Sequence, residues 1–486
     1  MQLSQYTMKN FYLKSFFLCL SSLGFAQIPK LPTMENPNPS TFQNYSDQSF
    51  INPKRNSTTP VVPQNYNNNI RTPQAYQQDV KRAQEDIRRF EQEQAEAERA
   101  VFYSRVKALE DSGYNLPSLS GKAGTNAYYD AFDKLSALDS ENYSTTEANF
   151  IVENAFYGGK QNFKQFKAGI EQTAKQVLQK MRADKLDTED NTMKNIALFK
   201  HFSKNYKYDF DDYFGAKDWT KMFTTKLMKT GKGQCHSMPL LYLMIAEQMG
   251  AQASLATAPN HTYIKFLDSE DQWQNIELTN GIFTTNSMIL ESGYIGSEAL
   301  QNNLYMNSLS KKELMSQFYA DLANGYIHKY GMDEFVGKTL DKSLEYSPNN
   351  MYANLLKSMY QQARFKHVTD NLGVKNAENP EELQSIRYFP KAVELLQETK
   401  AQFDRIDNLG FKFMSSSAYS EWLGNMGREA NRQQSEEIAE RIKQMNAEKQ
   451  RKKQEELKKA QEEKRRIEEK KKKEEEERRR LFYLKT

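Results

Sequence analysis

The run Leu240, Leu241, Leu243, Met244 and Ile245 puts apolar side chains on every side of a helix, so that helix must be enclosed by the rest of the fold. Pro239 fixes where it begins, because proline is tolerated only in the first turn, where its missing N–H has no helical partner. Gly250 closes it. Immediately upstream, Gly231 and Gly233 loosen the backbone before Cys235, so the thiol faces a helix N-terminus. Free backbone N–H groups and the positive end of the dipole there favour thiolate over thiol and can hold an oxyanion.

The cysteine count depends on the N-terminus. Read from Met1 or Met8, Lys9 and Lys14 form a basic region ahead of the apolar FFLCLSSLGF, which is too short to span a bilayer, and Gly24 and Ala26 place small residues before a cut at Gln27. Residues 1–26 therefore read as a signal peptide that carries Cys19 away and leaves Cys235 as the one mature thiol. Leu18 stands where a lipoprotein anchor needs a small residue. The expectation is a soluble exported protein, periplasmic or extracellular in a Gram-negative bacterium. A lone thiol without a disulfide partner in that setting asks for a chemical role.

Mean hydropathy of −0.84 means that much of the 486-residue chain packs no core, and two segments account for this. Residues 27–75 are rich in Pro, Asn, Gln, Ser and Thr without apolar periodicity and read as a disordered polar lead-in. Residues 418–486 read as a charged helical tail. Within 441–480 there are 18 basic against 11 acidic residues, a net +7 in a chain of +4, so the remainder is −3. The pairs Glu455 with Lys459, Glu462 with Arg466, Glu469 with Lys473 and Glu475 with Arg479 support a solvated single helix, while Ile442, Met445, Leu457 and Ile467 miss heptad spacing. Mixed signs usually mark solvated faces and favour a spacer helix open to protein partners; attachment to an acidic surface is the alternative, an anionic membrane rather than nucleic acid.

Between these ends the chain reads as mostly helical. The segment 76–185 is a helical N-terminal region that opens with a long helix from Ala75 to about Ala108, sparsely striped by Val80, Ile87, Phe90 and Val101, and continues past a break at 113–124 into helices near 146–157 and 160–183. A further helix near 188–205 opens the region 186–295. There HTYIKF and WQNIEL alternate as strands, with His261 and Glu277 each on the face opposite the apolar one. A hairpin through LDSEDQ keeps both on one side of the sheet, and a register with Lys265 opposite Trp273 puts His261 directly across from Glu277, with Cβ atoms about 5 Å apart.

Cys235 as nucleophile, His261 as base and then acid, and Glu277 as the group that holds the imidazole form a triad kit. In GKGQCHSMPLLYLMIAEQMGAQA, HTYIKF and WQNIELTNG the sequence resembles the transglutaminase-like superfamily, a papain-like cysteine fold with the order Cys, His, Asp. The resemblance spans about 190–290 and implies a central cysteine helix packed on a small antiparallel sheet. It departs from the family at Glu277, where Asp is usual, and at Tyr263, where tryptophan is usual. Gln234 and Trp219 are candidates to support the oxyanion, and Asn275 or Asn280 could replace Glu277. His201, His236, His328 and His367 read as structural. The five histidines form no zinc spacing, and no cofactor is expected.

Residues 310–410 resemble tetratricopeptide repeats, through Ala323, Gly325, Tyr326, Tyr330, Gly331 and the SPNN turn at Pro348, with further helices over Tyr352–Ala363 and near 380–404. So few repeats cannot stand alone and must pack on the catalytic-like domain or on a partner. The fold class expected is α+β. The function expected is an exported thiol enzyme acting on amide bonds of a protein or peptide substrate, as peptidase, deamidase or acyl transferase; the alternative is a decayed transglutaminase-like scaffold in an envelope assembly.

Overall fold

The computed structural model describes residues 73–377, 379–432 and scattered positions between 445 and 466; the leader, the lead-in up to residue 72 and most of the charged tail lie outside the described residues. The fold is mostly helical with a small antiparallel sheet, an α+β arrangement.

Helices α1 (Pro73–Asp111), α2 (Asn126–Ser136), α3 (Thr145–Phe156), α4 (Phe163–Ala183) and α5 (Asn191–Asn205) come first. Helix α2 was not expected. A two-residue strand β1 (Lys207–Tyr208) pairs in parallel with β2 (Lys232–Gly233), and between them lie a 3-10 turn at Trp219–Met222 and α6 (Thr224–Thr230). Then comes α7 (Ser237–Gln248), the helix required by its composition: every residue from Ser237 to Ala246 is buried. Around it pack α3, α4, α5 and α6, with β3 (Ser254–Ala258) and β4 (His261–Leu267) of the sheet.

The sheet is a meander completed by β5 (Trp273–Glu277) and β6 (Ile282–Thr284). Pro259 and Asn260, the latter at φ 57°, make the two-residue connection between β3 and β4. The free edge of β3 is covered where the N–H groups of Met306 and Leu309 donate to the carbonyls of Thr257 and Leu255. Short helices α8 (Asn286–Leu290) and α9 (Ser297–Gln301) lead to α10 (Lys311–Tyr330), whose residues from Leu314 to Tyr326 are all buried. A capping box between Ser310 and Glu313 starts α10.

Helix α10 packs on α2, α3 and α11 (Glu334–Tyr346), and α12 (Met351–Asn371) covers α10 and α11. At the α11–α12 crossing a Cβ on Gly337 would come within 2.6 Å of the Tyr360 ring, so only glycine allows that approach. One hydrophobic core runs without interruption from α2 through α7 and the sheet to α10 and α12. Residues 314–360 therefore share one interior with the sheet-bearing region. Helices α13 (Pro380–Leu383) and α14 (Pro390–Asn408) close a second core against α12 and the end of α1.

The last helix, α15 (Ser416–Arg432), corrects the reading that a charged tail begins at 418. Tyr419, Trp422, Leu423 and Met426, at spacing i, i+3, i+4 and i+7, are buried in the main core. Farther on, the described positions between 445 and 466 are helical, and Lys449 reaches back to Asp190, the N-cap of α5, at 2.6 Å. Among the described residues no helix is long and apolar enough to cross a membrane.

Candidate active site

Cys235 sits in the tight link between β2 and α7. Ser237 Oγ accepts the Gln234 N–H at 2.9 Å and donates to the Lys221 carbonyl at 3.1 Å. A Cβ on Gly233 would come 2.7 Å from that same oxygen, so the link depends on glycine there. The Thr262 hydroxyl donates to the Cys235 carbonyl, tying this residue to β4, and the thiol lies 3.8 Å from the Asn260 carbonyl.

His261 opens β4. Its Nε2 is hydrogen-bonded to Glu277 Oε2, while Glu277 Oε1 accepts the Thr279 N–H at 2.7 Å. Its Nδ1 side meets the Tyr419 hydroxyl at 2.9 Å, and the charge of the imidazole acts on the buried Cys235 thiol nearby. The structure thus brings Cys235, His261 and Glu277 into one buried cluster, with Tyr419 on the edge of the ring opposite Glu277.

The register differs from the sequence expectation by two residues: Lys265 lies opposite Asn275 and Leu267 opposite Trp273. Asp268 decides this, because its carboxylate accepts the N–H groups of Glu270 and Gln272, each at 2.9 Å, and the Gln274 amide at 2.7 Å, fixing the turn one pair later. The even shift keeps His261 and Glu277 on one face but makes them diagonal neighbours. Glutamate, one methylene longer than aspartate, spans that diagonal.

Burial alone would push the Cys235 thiol up. The hydrogen bond and charge of His261 outweigh burial, with help from the Tyr419 hydroxyl and the His236 ring, and hold the thiol below its ordinary value. Burial would lower His261, but the Glu277 charge and the bonds to Cys235 and Glu277 raise it to about 10. Each partner thus favours the charged form of the other, the thiol being drawn toward thiolate and the imidazole toward imidazolium.

The supporting candidates behave differently. Both N–H groups of the Gln234 amide are taken at 2.7 Å by the carbonyls of Asp209 and Asp212, so that side chain braces the 209–212 loop and cannot donate to an oxyanion. Trp219 stacks on His328 at 4.3 Å against α10, with its Nε1 buried and unpartnered. Asn275 shares the Glu277 face but donates to Asn286 Oδ1 at 2.9 Å, and Asn280 donates to the Leu423 carbonyl at 3.3 Å; neither holds the imidazole.

Three features escaped sequence reasoning. The first is α15, which lies over the site: besides Tyr419, Trp422 stands edge-on to the His261 ring at 5.4 Å and donates to the Met288 carbonyl at 3.2 Å, and Asn260 donates to the Met414 carbonyl at 2.8 Å. With this cover Cys235 is only 7% exposed and His261 4%. The apolar spacing of Tyr419, Trp422, Leu423 and Met426 was its signal. The second is Tyr208, whose phenol is buried without a hydrogen-bond partner, near enough to Cys235 and Tyr419 to feel their charge. The third is His236, whose Nδ1 faces the Met222 carbonyl at 3.1 Å and whose Nε2 faces Asp321 Oδ2 at 2.9 Å. A carbonyl and a carboxylate both accept, so the ring carries a proton on each nitrogen. Burial opposes that charge, but the Asp321 charge and hydrogen bond raise His236 to about 9.

No family model matches this chain, and no curated protein matches it. Among solved structures, a crystal structure of menin that reveals its binding site for Mixed Lineage Leukemia (MLL) protein aligns at 10% identity and a TM-score of 0.30, covering 65% of this chain and 92% of that one. A likeness that low carries no argument about fold or function.

Proposed function

We propose that this chain is a thiol enzyme acting on amide bonds, with a transglutaminase-like, papain-like core at 186–295 and tetratricopeptide-like helices at 310–410 packed on it. The observation that supports the reading is the His261 imidazole, held at Nε2 by Glu277 and buried with the Cys235 thiol, whose titration its charge lowers. The thiolate attacks the amide carbonyl carbon, forming a C–S bond. As the C–N bond breaks, the His261 imidazolium gives its proton to the departing amine, leaving a thioester and neutral imidazole. Water attacking the thioester, with His261 as base, releases an acid and restores the thiol, which is hydrolysis or deamidation. An amine attacking instead forms a new amide. Glu277 keeps the Nε2 proton in place and stabilises the imidazolium.

Export, with a protein or peptide substrate outside the cytoplasm, completes the proposal and rests on the leader-like residues 1–26. A second reading, a scaffold with a retained but unused thiol, is favoured by the burial of the triad beneath α15. Alkylation kinetics of Cys235 against pH separate the two. The enzyme reading expects rapid labelling with a midpoint below the ordinary thiol range of about 8.5, and a shift upward by a unit or more in His261→Ala. Turnover of glutamine or peptide amides should vanish in Cys235→Ala. Slow labelling indifferent to His261→Ala would favour the scaffold.

A further inference from the structure

Helix α1 stands away from the body of the protein. The second core takes hold of it only from Val106 and Leu109, and Phe102 touches Phe389 at 6.4 Å. Before that point, for about 40 Å of helix, its side chains are exposed almost without break. Yet this stretch is not polar all round. Ile87 is 57% and Phe90 60% exposed, and Tyr76, Val80 and Val101 are exposed as well.

Their spacing is a seam. Tyr76, Val80, Ala83, Ile87, Phe90, Gln94, Ala97 and Val101 follow one another at alternating steps of four and three, the repeat that keeps one stripe facing a partner helix. The single polar member, Gln94, is the kind of residue that costs stability but fixes register. The charges are sorted about this stripe. The positions that border it carry Asp86 and Glu93 on one side and Glu91 and Glu98 on the other and no base from 77 to 100, while Lys81, Arg82, Arg88 and Arg89 lie on the back of the helix with Glu85 and Glu96. Asp86 leans toward Arg89 at 3.3 Å, an exposed pair that contributes little.

That sorting decides the occupant. In a parallel pair of identical helices Asp86 would face Glu91, and Glu93 would face Glu98; an antiparallel pair also sets acid against acid. The tail of this chain is basic, but its apolar residues miss the heptad repeat. We propose that α1 is one half of a heterotypic coiled coil whose other half is a helix of a different protein, with apolar heptads bordered by Lys or Arg. The inference is independent of the triad and of any activity at Cys235.

The test uses the full chain and two synthetic helical peptides of about four heptads with the same Ile and Leu seam, one bordered by lysines and one by glutamates. The lysine peptide should bind at least tenfold tighter at low salt, with the gap shrinking in molar salt. Ile87→Glu with Phe90→Glu should abolish binding while leaving the far-ultraviolet circular dichroism unchanged. The fourfold change Asp86→Lys, Glu91→Lys, Glu93→Lys and Glu98→Lys should reverse the preference. The proposal is overturned by equal binding of the two peptides, by no binding of either, or by self-association in sedimentation that Ile87→Glu abolishes. It is also overturned if the lysine peptide binds only after residues 441–486 are deleted, since the seam would then belong to the chain's own tail.

Discussion

At the scale of single residues, Cys235 has two imidazoles near it with different surroundings. His261, hydrogen-bonded to Glu277, is the base of the proposed reaction. His236, next in the chain, is fixed as a cation between Met222 and Asp321, which binds the Cys235 link to α10. Its folded value of about 9 lies above the unfolded value of about 6.5, so the pair stabilises the fold fully below about pH 6.5 and that contribution is lost as pH rises through about 9. Asp321→Asn should therefore be less stable than wild type by on the order of 2–3 kcal/mol at pH 6, with the gap closing above pH 9. Urea unfolding of both proteins from pH 6 to 10 measures it, and a gap independent of pH would mean that His236 is neutral. The residue types of the triad were legible in the sequence because the nucleophile precedes a helix of unusual composition and the other two alternate on strands. His236 was not, since its partner lies 85 positions away.

At the scale of elements, tertiary contacts set starts and registers that local pattern left open. Helix α6 has no side-chain cap of its own. Buried Glu153 of α3 supplies one, accepting the N–H groups of Thr224 at 2.6 Å and Thr225 at 2.9 Å, the Thr224 hydroxyl at 2.7 Å and the Asn149 amide at 2.8 Å. Glu153→Gln turns an acceptor into a donor facing donors, and should cost about 2–4 kcal/mol in urea unfolding followed by tryptophan fluorescence. A loss under 1 kcal/mol would mean that α6 finds another cap. The β4–β5 hairpin teaches the same lesson. Alternation sets the parity of pairing, which kept His261 and Glu277 on one face, but a shift by two preserves parity and only the Asp268 turn chooses between the registers.

At the scale of the whole molecule, the main event is closure of the site by a helix from the far end of the chain. Alkylation of Cys235 requires α15 to lift, so the labelling rate reports that opening. Trp422→Ala removes an indole that touches the His261 ring and should raise the alkylation rate at a pH where the thiol is ionised by at least tenfold, while lowering global stability by about 3–5 kcal/mol. Stopped-flow labelling beside urea unfolding reads both, and an unchanged rate would mean that the sulfur is reached by another route. Such coverage also bears on any test of the proposed activity, because the Tyr419 hydroxyl occupies the Nδ1 edge of His261.

By itself the sequence determined which helix must be central, that the thiol lies at its N-terminus, and that the imidazole and carboxylate share a face of the sheet. Each of these follows from composition or period within about 20 residues, the range over which a chain's own geometry dictates side-chain direction. Only the tertiary structure decided the register of two, the Asp321 partner of His236 and the placement of α15 over the site. Those depend on which distant surfaces bury one another, and local periodicity shows that a face is apolar without saying what covers it.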